Sequence, residues 1–181
     1  MIALMGDAAL DEGNIYECLI EGYKHDVHNC WWIVDYNRQS LDSTTADRMF
    51  RRFDDIFETC GWRVITLKHG RKQREVFAKP GGAAIAGWID DCPNAEYAAL
   101  TYQGGAAWRL RRNADLASDA KALALIANMA DDDLSTLMLN LGGHCIETLL
   151  DAFAQADDER PTLFIAYTVK GYGLPFAGHK D

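Results

Sequence analysis

The sequence predicts an α/β fold in which an open, largely parallel sheet is flanked by helices, with a helix-rich insertion at about residues 70–160. Short β-rich apolar runs alternate with helical stretches along the chain. One run, residues 30–34, is apolar throughout, which is typical of a parallel strand buried on both faces. The 181 residues are 49% hydrophobic and 25% charged, the composition of an ordinary globular chain. We therefore expect a single domain over residues 1–181.

Strands and helices alternate in the first 70 residues of the chain. β-rich apolar runs predict strands at residues 2–5, 30–34 and 62–67. Apolar residues at helical spacing predict helices over residues 12–23 and 49–60. Gly61 directly follows the second helix, which is the usual position of a glycine stop.

Helix signals dominate between residues 70 and 160. Helices are predicted over residues 114–129 and 146–156. Another helix is expected to begin at residues 131–133, three aspartates, because acidic side chains favour the positive end of the helix dipole. Residues 162–169 predict the last strand. Strands joined by helical crossovers favour a parallel sheet.

Charge and cysteine content exclude several classes of protein. The formal net charge of −9 argues against a protein that coats nucleic acid, and two basic clusters at residues 68–74 and 109–112 are interpreted as solvated surface. No apolar run approaches the roughly 18 residues that a membrane span needs. The five cysteines are widely spaced without a Cys-x-x-Cys pair. We therefore expect no disulfide framework, no zinc site and a cytoplasmic location.

Polar residues follow the first two predicted strands. Asp7 comes directly after the first strand, and Asn37 follows the second. If these strands are neighbours, the two side chains meet in the crevice beyond the carboxyl ends of the sheet, where open α/β folds bind ligands. A carboxylate with amide and carbonyl oxygens suits Mg²⁺, and the helix beginning near Glu12 favours an anion there. The alternative is structural: Asp7 is then a helix cap and Asn37 a turn residue.

Four motifs carry a resemblance to a known superfamily. Met5-Gly6-Asp7-Ala8 with Asn37 placed 30 residues after the aspartate resembles the thiamine diphosphate motif of the transketolase-like superfamily. Residues 10–14 are similar to the segment that follows this motif in transketolases and in homodimeric-type pyruvate dehydrogenases, the decarboxylating first component. Residues 35–42 resemble the pyruvate dehydrogenase pattern more closely than the transketolase one. The turn at residues 139–144 and the segment at residues 168–173 resemble their Asn-x-Gly-Gly-His and Thr-x-Lys-Gly-Tyr-Gly patterns. The motifs occur in family order over nearly the whole chain.

The resemblance implies a diphosphate-binding domain with the thiamine diphosphate-binding fold. Asp7 and Asn37 would ligate Mg²⁺ through their side chains, and Gln39 through its main-chain carbonyl. The metal would hold the diphosphate of thiamine diphosphate, and the backbone around Gly6 and Ala8 would approach the phosphates.

Three further residues are implied in the site with different roles. Glu12 matches a glutamate of the acidic network between the two active sites of the dimer. Lys170 would lie near the diphosphate or the substrate, and His179 is placed where the family has active-site histidines. We take Glu12 and His179 as the candidate catalytic residues and Lys170 as a cofactor-binding residue.

The sequence departs from the family pattern at three positions. Ala8 replaces the last glycine of Gly-Asp-Gly, which is acceptable unless that position needs a positive φ. Asp35 stands in place of an asparagine, and Cys145 in place of the aspartate that usually follows Gly-Gly-His. None of the three removes a proposed metal ligand.

The resemblance also implies that part of the active site lies outside this sequence. In the family, the glutamate that contacts the aminopyrimidine ring belongs to a pyrimidine-binding domain, which is absent here. We therefore expect a diphosphate-binding domain truncated at both ends, inactive alone, and completed by that domain or subunit. A homodimer and a lipoyl acyltransferase component are the expected partners, with neither nucleic acid nor membrane.

Two other functions stay open beside the pyruvate dehydrogenase-like one. A transketolase-type enzyme would transfer ketol groups between sugar phosphates, and a non-catalytic truncated module would serve only as an interaction surface. A nucleotide-binding Rossmann domain is disfavoured because no Gly-x-Gly-x-x-Gly follows the first strand.

Overall fold

A four-stranded parallel sheet forms the centre of the fold. The computed structural model describes residues 1–40, 43–44, 50–157 and 159–179. Its strands are β1 (Ile2–Gly6), β2 (Trp31–Tyr36), β3 (Gln39–Ser40), β4 (Ser43–Thr44), β5 (Arg63–Leu67) and β6 (Thr162–Tyr167). The parallel sheet has the order β1-β2-β6-β5, and β3 pairs with β4 in a separate antiparallel ribbon. The predicted α/β class with an open parallel sheet is confirmed.

Helices cover the sheet and fill the long connection between β5 and β6. They are α1 (Gly13–Lys24), α2 (Phe50–Thr59), α3 (Arg71–Phe77), α4 (Gly82–Asp91), α5 (Asn94–Gln103), α6 (Gly105–Asp115), α7 (Ala120–Ile126), α8 (Asp131–Leu139) and α9 (Ile146–Phe153). Two short 3-10 turns, Asp7–Asp11 and Gly142–His144, stand at the ends of connections to the sheet. Because α3 to α9 all lie between β5 and β6, the helix-rich insertion is confirmed. None of the helices in the described ranges is long and apolar enough to cross a bilayer.

The central strands are rich in apolar side chains, and β6 is buried throughout whereas β2 is buried at alternate positions. All six residues of β6 are buried, from Thr162 to Tyr167. On one face, Trp32 of β2 packs against the rings of Phe57 and Trp62 at centroid distances of 5.8 and 4.8 Å. β1 forms the edge of the sheet, where Leu4 is 77% exposed. The core therefore lies between β2, β6 and the helices.

One predicted helix is wrong. Residues 114–129 do not form a continuous helix, because α6 ends at Asp115 and α7 begins at Ala120. The side chain of Asp119 accepts hydrogen bonds from the N–H groups of Lys121 and Ala122 at 3.1 and 2.9 Å. This N-cap satisfies donors at a new helix start and so separates the two helices.

The other predicted helix boundaries agree closely with the structure. The helix opened by the three aspartates is confirmed as α8, and that of residues 146–156 as the shorter α9. Gly61 has a φ of +83°, so a glycine does follow α2 in the left-handed conformation. Met49, at the start of the predicted second helix, lies outside the described residues, as do Leu41 and Asp42 of the second motif.

The interpretation of the basic cluster 109–112 as solvated surface is wrong for one residue. Arg112 is only 4% exposed, and its guanidinium donates to the Ile126 carbonyl at 2.9 Å and to Asn113 Oδ1 at 2.6 Å. Burial lowers the pKa of Arg112, with Arg109 adding to the shift. The side chain therefore joins α6 to the end of α7 inside the insertion.

We expect Arg112→Ala to lower the free energy of unfolding by about 2–3 kcal/mol, because the substitution removes buried packing and leaves the Ile126 carbonyl without its donor. Arg111→Ala is the matched control. Its half-exposed guanidinium forms ion pairs with Glu96 and Asp115, which are worth about 1 kcal/mol or less. Urea unfolding of both variants measures the difference, and equal losses would contradict the buried role of Arg112.

Candidate functional site

The carboxyl ends of β1 and β2 bring the candidate metal ligands to one edge of the sheet. The strands are parallel neighbours with Gly6 opposite Asp35, so the residues that follow them emerge on the same side. The Arg38 N–H donates to Asp7 Oδ2 at 2.8 Å, which ties the two loops together. Asp7 and Asn37, separated by 30 residues in sequence, therefore belong to one local arrangement.

Asp7 is a buried carboxylate directly after the end of β1. It is 3% exposed, and burial is the main reason that its pKa rises from the ordinary value of 3.8 to about 6. The hydrogen bond from the Arg38 N–H lowers the pKa, whereas the nearby Asp35 carboxylate raises it. A bound divalent cation would remove this electrostatic cost, since it favours the ionised carboxylate. The observation fits a metal ligand better than a simple helix cap.

The segment after β2 bends sharply at Arg38, so the side chains of residues 37, 38 and 39 have different neighbours. Arg38 has a φ of +66°, uncommon for a residue with a Cβ, and its guanidinium lies 4.3 Å from the centre of the Tyr97 ring. Asn37 Oδ1 accepts the Gln39 N–H at 3.1 Å. Gln39 is 6% exposed. This turn places residues 37–39 beside the Asp7 loop, which the Arg38 N–H contacts.

The backbone at the Gly-Asp-Ala motif accepts the alanine without strain. Ala8 lies in the 3-10 turn that starts at Asp7, and its φ is not positive. Gly6 precedes this turn with a φ of −79°, and a Cβ built on Gly6 would meet no atom within 4 Å. The space beside Gly6 is therefore open to a ligand, and the departure at Ala8 does not affect the backbone N–H groups of the turn.

Lys170 lies on the same side of the sheet as the candidate ligands. Asn37, Gln39 and Lys170 line a common small cavity beside Tyr97. The Gly178 N–H donates to the Lys170 carbonyl at 2.9 Å, which closes residues 170–178 into a loop. Gly171, Gly173 and Gly178 have φ values of +71°, +82° and +83°. The glycines of the Thr-x-Lys-Gly-Tyr-Gly motif thus permit the loop that carries Lys170.

The two candidate catalytic residues lie at the start of α1 and directly after the loop of residues 170–178. Glu12 is exposed at the start of α1, and none of the described contacts joins its carboxylate to Asp7 or Asn37. The ring of His179 packs edge-on against Tyr102 of α5 at a centroid distance of 4.8 Å. A catalytic role for either residue stays a prediction.

Three residues beside the site were not assigned a role from the sequence. Thr168 Oγ1 donates to Asp35 Oδ1, and the same oxygen accepts Asn37 Nδ2 at 3.5 Å. His144 Nε2 accepts the Val169 N–H at 2.9 Å. Asp35, Thr168 and His144 all belong to the four motifs, so the motifs contained the signal. Their contacts depend on the packing of β2 against β6, which no local pattern reveals.

The chain is thus an α/β protein with Asp7, Asp35 and Asn37 at the carboxyl edge of its parallel sheet, the edge at which open α/β folds bind ligands. No protein-family model matches the chain. The chain is similar to curated proteins called pyruvate dehydrogenase E1 component. That of Corynebacterium glutamicum is 26% identical over 176 residues, that of Cupriavidus necator 26% over 180, and that of Escherichia coli strain K12 25% over 176.

These alignments cover 95%, 97% and 95% of this chain, and the resemblance inferred from the motifs is confirmed. The chain spans only 18% to 19% of the length of these relatives.

Proposed function

We propose that this chain holds the Mg²⁺ and the diphosphate of thiamine diphosphate in a decarboxylating component that acts on a 2-oxo acid such as pyruvate. The observation that carries the proposal is the buried Asp7 carboxylate, which the Arg38 N–H ties to the loop of Asn37 and Gln39. One carboxylate with amide and carbonyl oxygens is the donor set that Mg²⁺ takes together with phosphate oxygens. The similarity to pyruvate dehydrogenase E1 components supports this cofactor and this substrate class.

Each residue of the arrangement has a distinct task in this proposal. Asp7 and Asn37 bind the metal through side-chain oxygens, and Gln39 binds it through its main-chain carbonyl. The backbone at Gly6 and Ala8 leaves room for the phosphates, and Lys170 supplies a positive charge near them. Bound thiamine diphosphate would supply the electron sink that decarboxylation of a 2-oxo acid requires.

The proposal includes partners. A pyrimidine-binding domain or subunit would supply the carboxylate that activates the aminopyrimidine ring, and the chain would be inactive without it. The active form would be a homodimer in the cytoplasm that passes the acyl group to a lipoyl acyltransferase component, with Glu12 and His179 near the joined active sites.

Calorimetric titration of the 181-residue chain with thiamine diphosphate tests the metal site. We expect binding that requires Mg²⁺, and we expect Asn37→Ala to weaken it by roughly 10- to 100-fold, the range typical of lost metal-site groups. Asn29→Ala is the matched control, because the exposed Asn29 precedes β2 whereas Asn37 follows it. The control should bind as the wild type does.

Three results would contradict the proposal. A folded wild-type chain that fails to bind thiamine diphosphate with Mg²⁺ would favour the non-catalytic interaction module. Turnover of pyruvate by the purified chain without any partner would contradict the need for a pyrimidine-binding domain or subunit. Binding accompanied by turnover of sugar phosphates after addition of a pyrimidine-binding domain would instead favour the transketolase-type function.

A further inference from the structure

The Gly142–His144 turn reaches the carboxyl ends of two strands at once. The Gly142 N–H donates to the Lys68 carbonyl at 3.0 Å, just after β5. A Cβ built on Gly143 would lie 2.6 Å from Thr168 Cγ2 and 2.7 Å from the Tyr167 carbonyl, so only glycine permits this approach to the end of β6. The close approach brings the His144 ring to the backbone of the segment that carries Lys170.

His144 holds that segment by two contacts. Its Nε2 accepts the Val169 N–H at 2.9 Å, one residue before Lys170. Its ring stacks on Tyr172 with a centroid distance of 3.8 Å and an interplanar angle of 15°. The contacts flank Lys170 on both sides in sequence, so the position of Lys170 depends on the His144 ring.

The hydrogen bond requires one protonation state of His144. A backbone N–H can only donate, so Nε2 must be unprotonated and the proton of the neutral ring must be on Nδ1. A proton added to Nε2 would turn this acceptor into a donor that faces another donor. Protonation therefore breaks the bond to Val169.

The charged groups around His144 determine where the protonated ring would move. Burial lowers the pKa of His144, and the Asp35 carboxylate, which faces it from β2, opposes that effect. Tyr172 faces it as a neutral ring from the loop. In the first turn of α9, the Glu147 carboxylate accepts a hydrogen bond from the Cys145 thiol at 3.3 Å and pairs with Arg71 at 3.8 Å. An imidazolium would thus be drawn towards Asp35, which already accepts Thr168 and Asn37.

We propose that His144 is a positioning residue whose unprotonated Nε2 fixes the Lys170 segment, and that protonation of this nitrogen releases the segment from the diphosphate site. The consequence for cofactor binding rests on the proposed function, whereas the release of the segment does not. Since the closed segment requires the neutral ring, the contact has its full stability above the ordinary histidine pKa of about 6.5, weakens as the pH falls from there, and is lost through the lower pKa of the buried ring.

Hydrogen–deuterium exchange of residues 168–179 tests the release directly. We expect protection in the wild-type chain, corrected for intrinsic exchange, to fall by about tenfold between pH 7.5 and pH 5.5, the change that one pKa unit represents. His144→Gln keeps a side-chain acceptor that does not titrate, so its protection should be equal at both pH values. His144→Phe keeps the stacking on Tyr172 without an acceptor, so its protection should be low at both.

Two outcomes would overturn the inference. One is the same pH dependence in the wild type and in His144→Gln; the other is wild-type protection in His144→Phe at pH 7.5. Peptides from β2 and β6 serve as the folding control within each sample, and if His144→Phe fails to fold, the comparison with His144→Gln alone decides.

Calorimetry at the same two pH values separates this inference from the proposed function. The wild type should lose more affinity for Mg²⁺ and thiamine diphosphate at pH 5.5 than His144→Gln, because both share the titration of Asp7 and only the wild type titrates at position 144. Equal losses would contradict the link between His144 and the cofactor. Absence of binding in both proteins at both pH values would contradict the proposed function and leave the exchange result to decide the release.

Discussion

Replacing Asp7 with asparagine is expected to abolish the Mg²⁺-dependent binding of thiamine diphosphate and to stabilise the unliganded chain. The two effects have one cause, since Asp7 is a buried carboxylate whose charge is suited to a metal ion and unfavourable without it. The rise of its pKa from 3.8 to about 6 corresponds to about 3 kcal/mol at neutral pH. Asparagine keeps an oxygen that can accept the Arg38 N–H.

The sign of the pH dependence follows from the raised pKa. Folding favours the protonated Asp7, so its contribution to stability is greatest below pH 3.8 and is lost as the pH rises through about 6. We therefore expect Asp7→Asn to raise the free energy of unfolding by about 2–3 kcal/mol at pH 7.5, with the difference shrinking towards pH 4. Urea unfolding without metal at several pH values measures this difference.

Asp11→Asn is the matched control for Asp7→Asn. It removes the same charge from an exposed position of the same 3-10 turn, so its stability should change by about 0.5 kcal/mol or less and its cofactor binding should persist. If Asp7→Asn destabilised the unliganded chain, or bound thiamine diphosphate with Mg²⁺ as tightly as the wild type, the interpretation of Asp7 as a metal ligand would be wrong.

Trp108→Ala is expected to lower the free energy of unfolding by about 3–5 kcal/mol. Trp108 is fully buried in α6 and packs edge-to-face against Trp88 and Tyr97 at centroid distances of 5.8 and 4.9 Å. Tyr97 in turn supports the Arg38 guanidinium beside the candidate site. The loss of Trp108 should therefore also weaken cofactor binding, because the turn after β2 loses the ring on which Arg38 rests.

Trp108→Phe separates the packing of the ring from its N–H group. Within the described ranges, the buried Nε1 of Trp108 has no hydrogen-bond partner, so phenylalanine removes an unsatisfied donor while it keeps most of the apolar contact. We expect a loss below about 1.5 kcal/mol for this variant. Chemical unfolding and calorimetric titration of both variants test the prediction. A similar loss in the free energy of unfolding for Trp108→Ala and Trp108→Phe would contradict it.

The two central strands followed from the sequence because their residues form nearly continuous apolar runs. Residues 30–34 and 162–169 are apolar almost throughout, and such runs are strands in a parallel sheet whatever their partners are. The break between α6 and α7 was missed because the cap at Asp119 interrupts an apolar pattern that otherwise continues. The strand order β1-β2-β6-β5 could not be predicted from local sequence patterns, because β2 pairs with a strand about 130 residues later in the chain.

The part of the candidate site that lies within the sequence motifs could be predicted. The spacing of Asp7, Asn37 and Gln39 pointed to one crevice, and the structure places their loops together. The left-handed turn at Arg38 and the acceptor role of His144 were not predictable, because each depends on contacts across elements that are distant in sequence. The catalytic roles of Glu12 and His179 stay predictions.

The sequence by itself determined the α/β class, the residues that could bind a metal and the resemblance to pyruvate dehydrogenase first components, because these follow from hydrophobic pattern and motif spacing. Only the tertiary structure decided that Asp7 is buried, with a pKa near 6, and that His144 contacts the Lys170 segment. The reason is physical. A charge loses its solvent only when separate strands pack together, and this burial determines the pKa of an ionisable group.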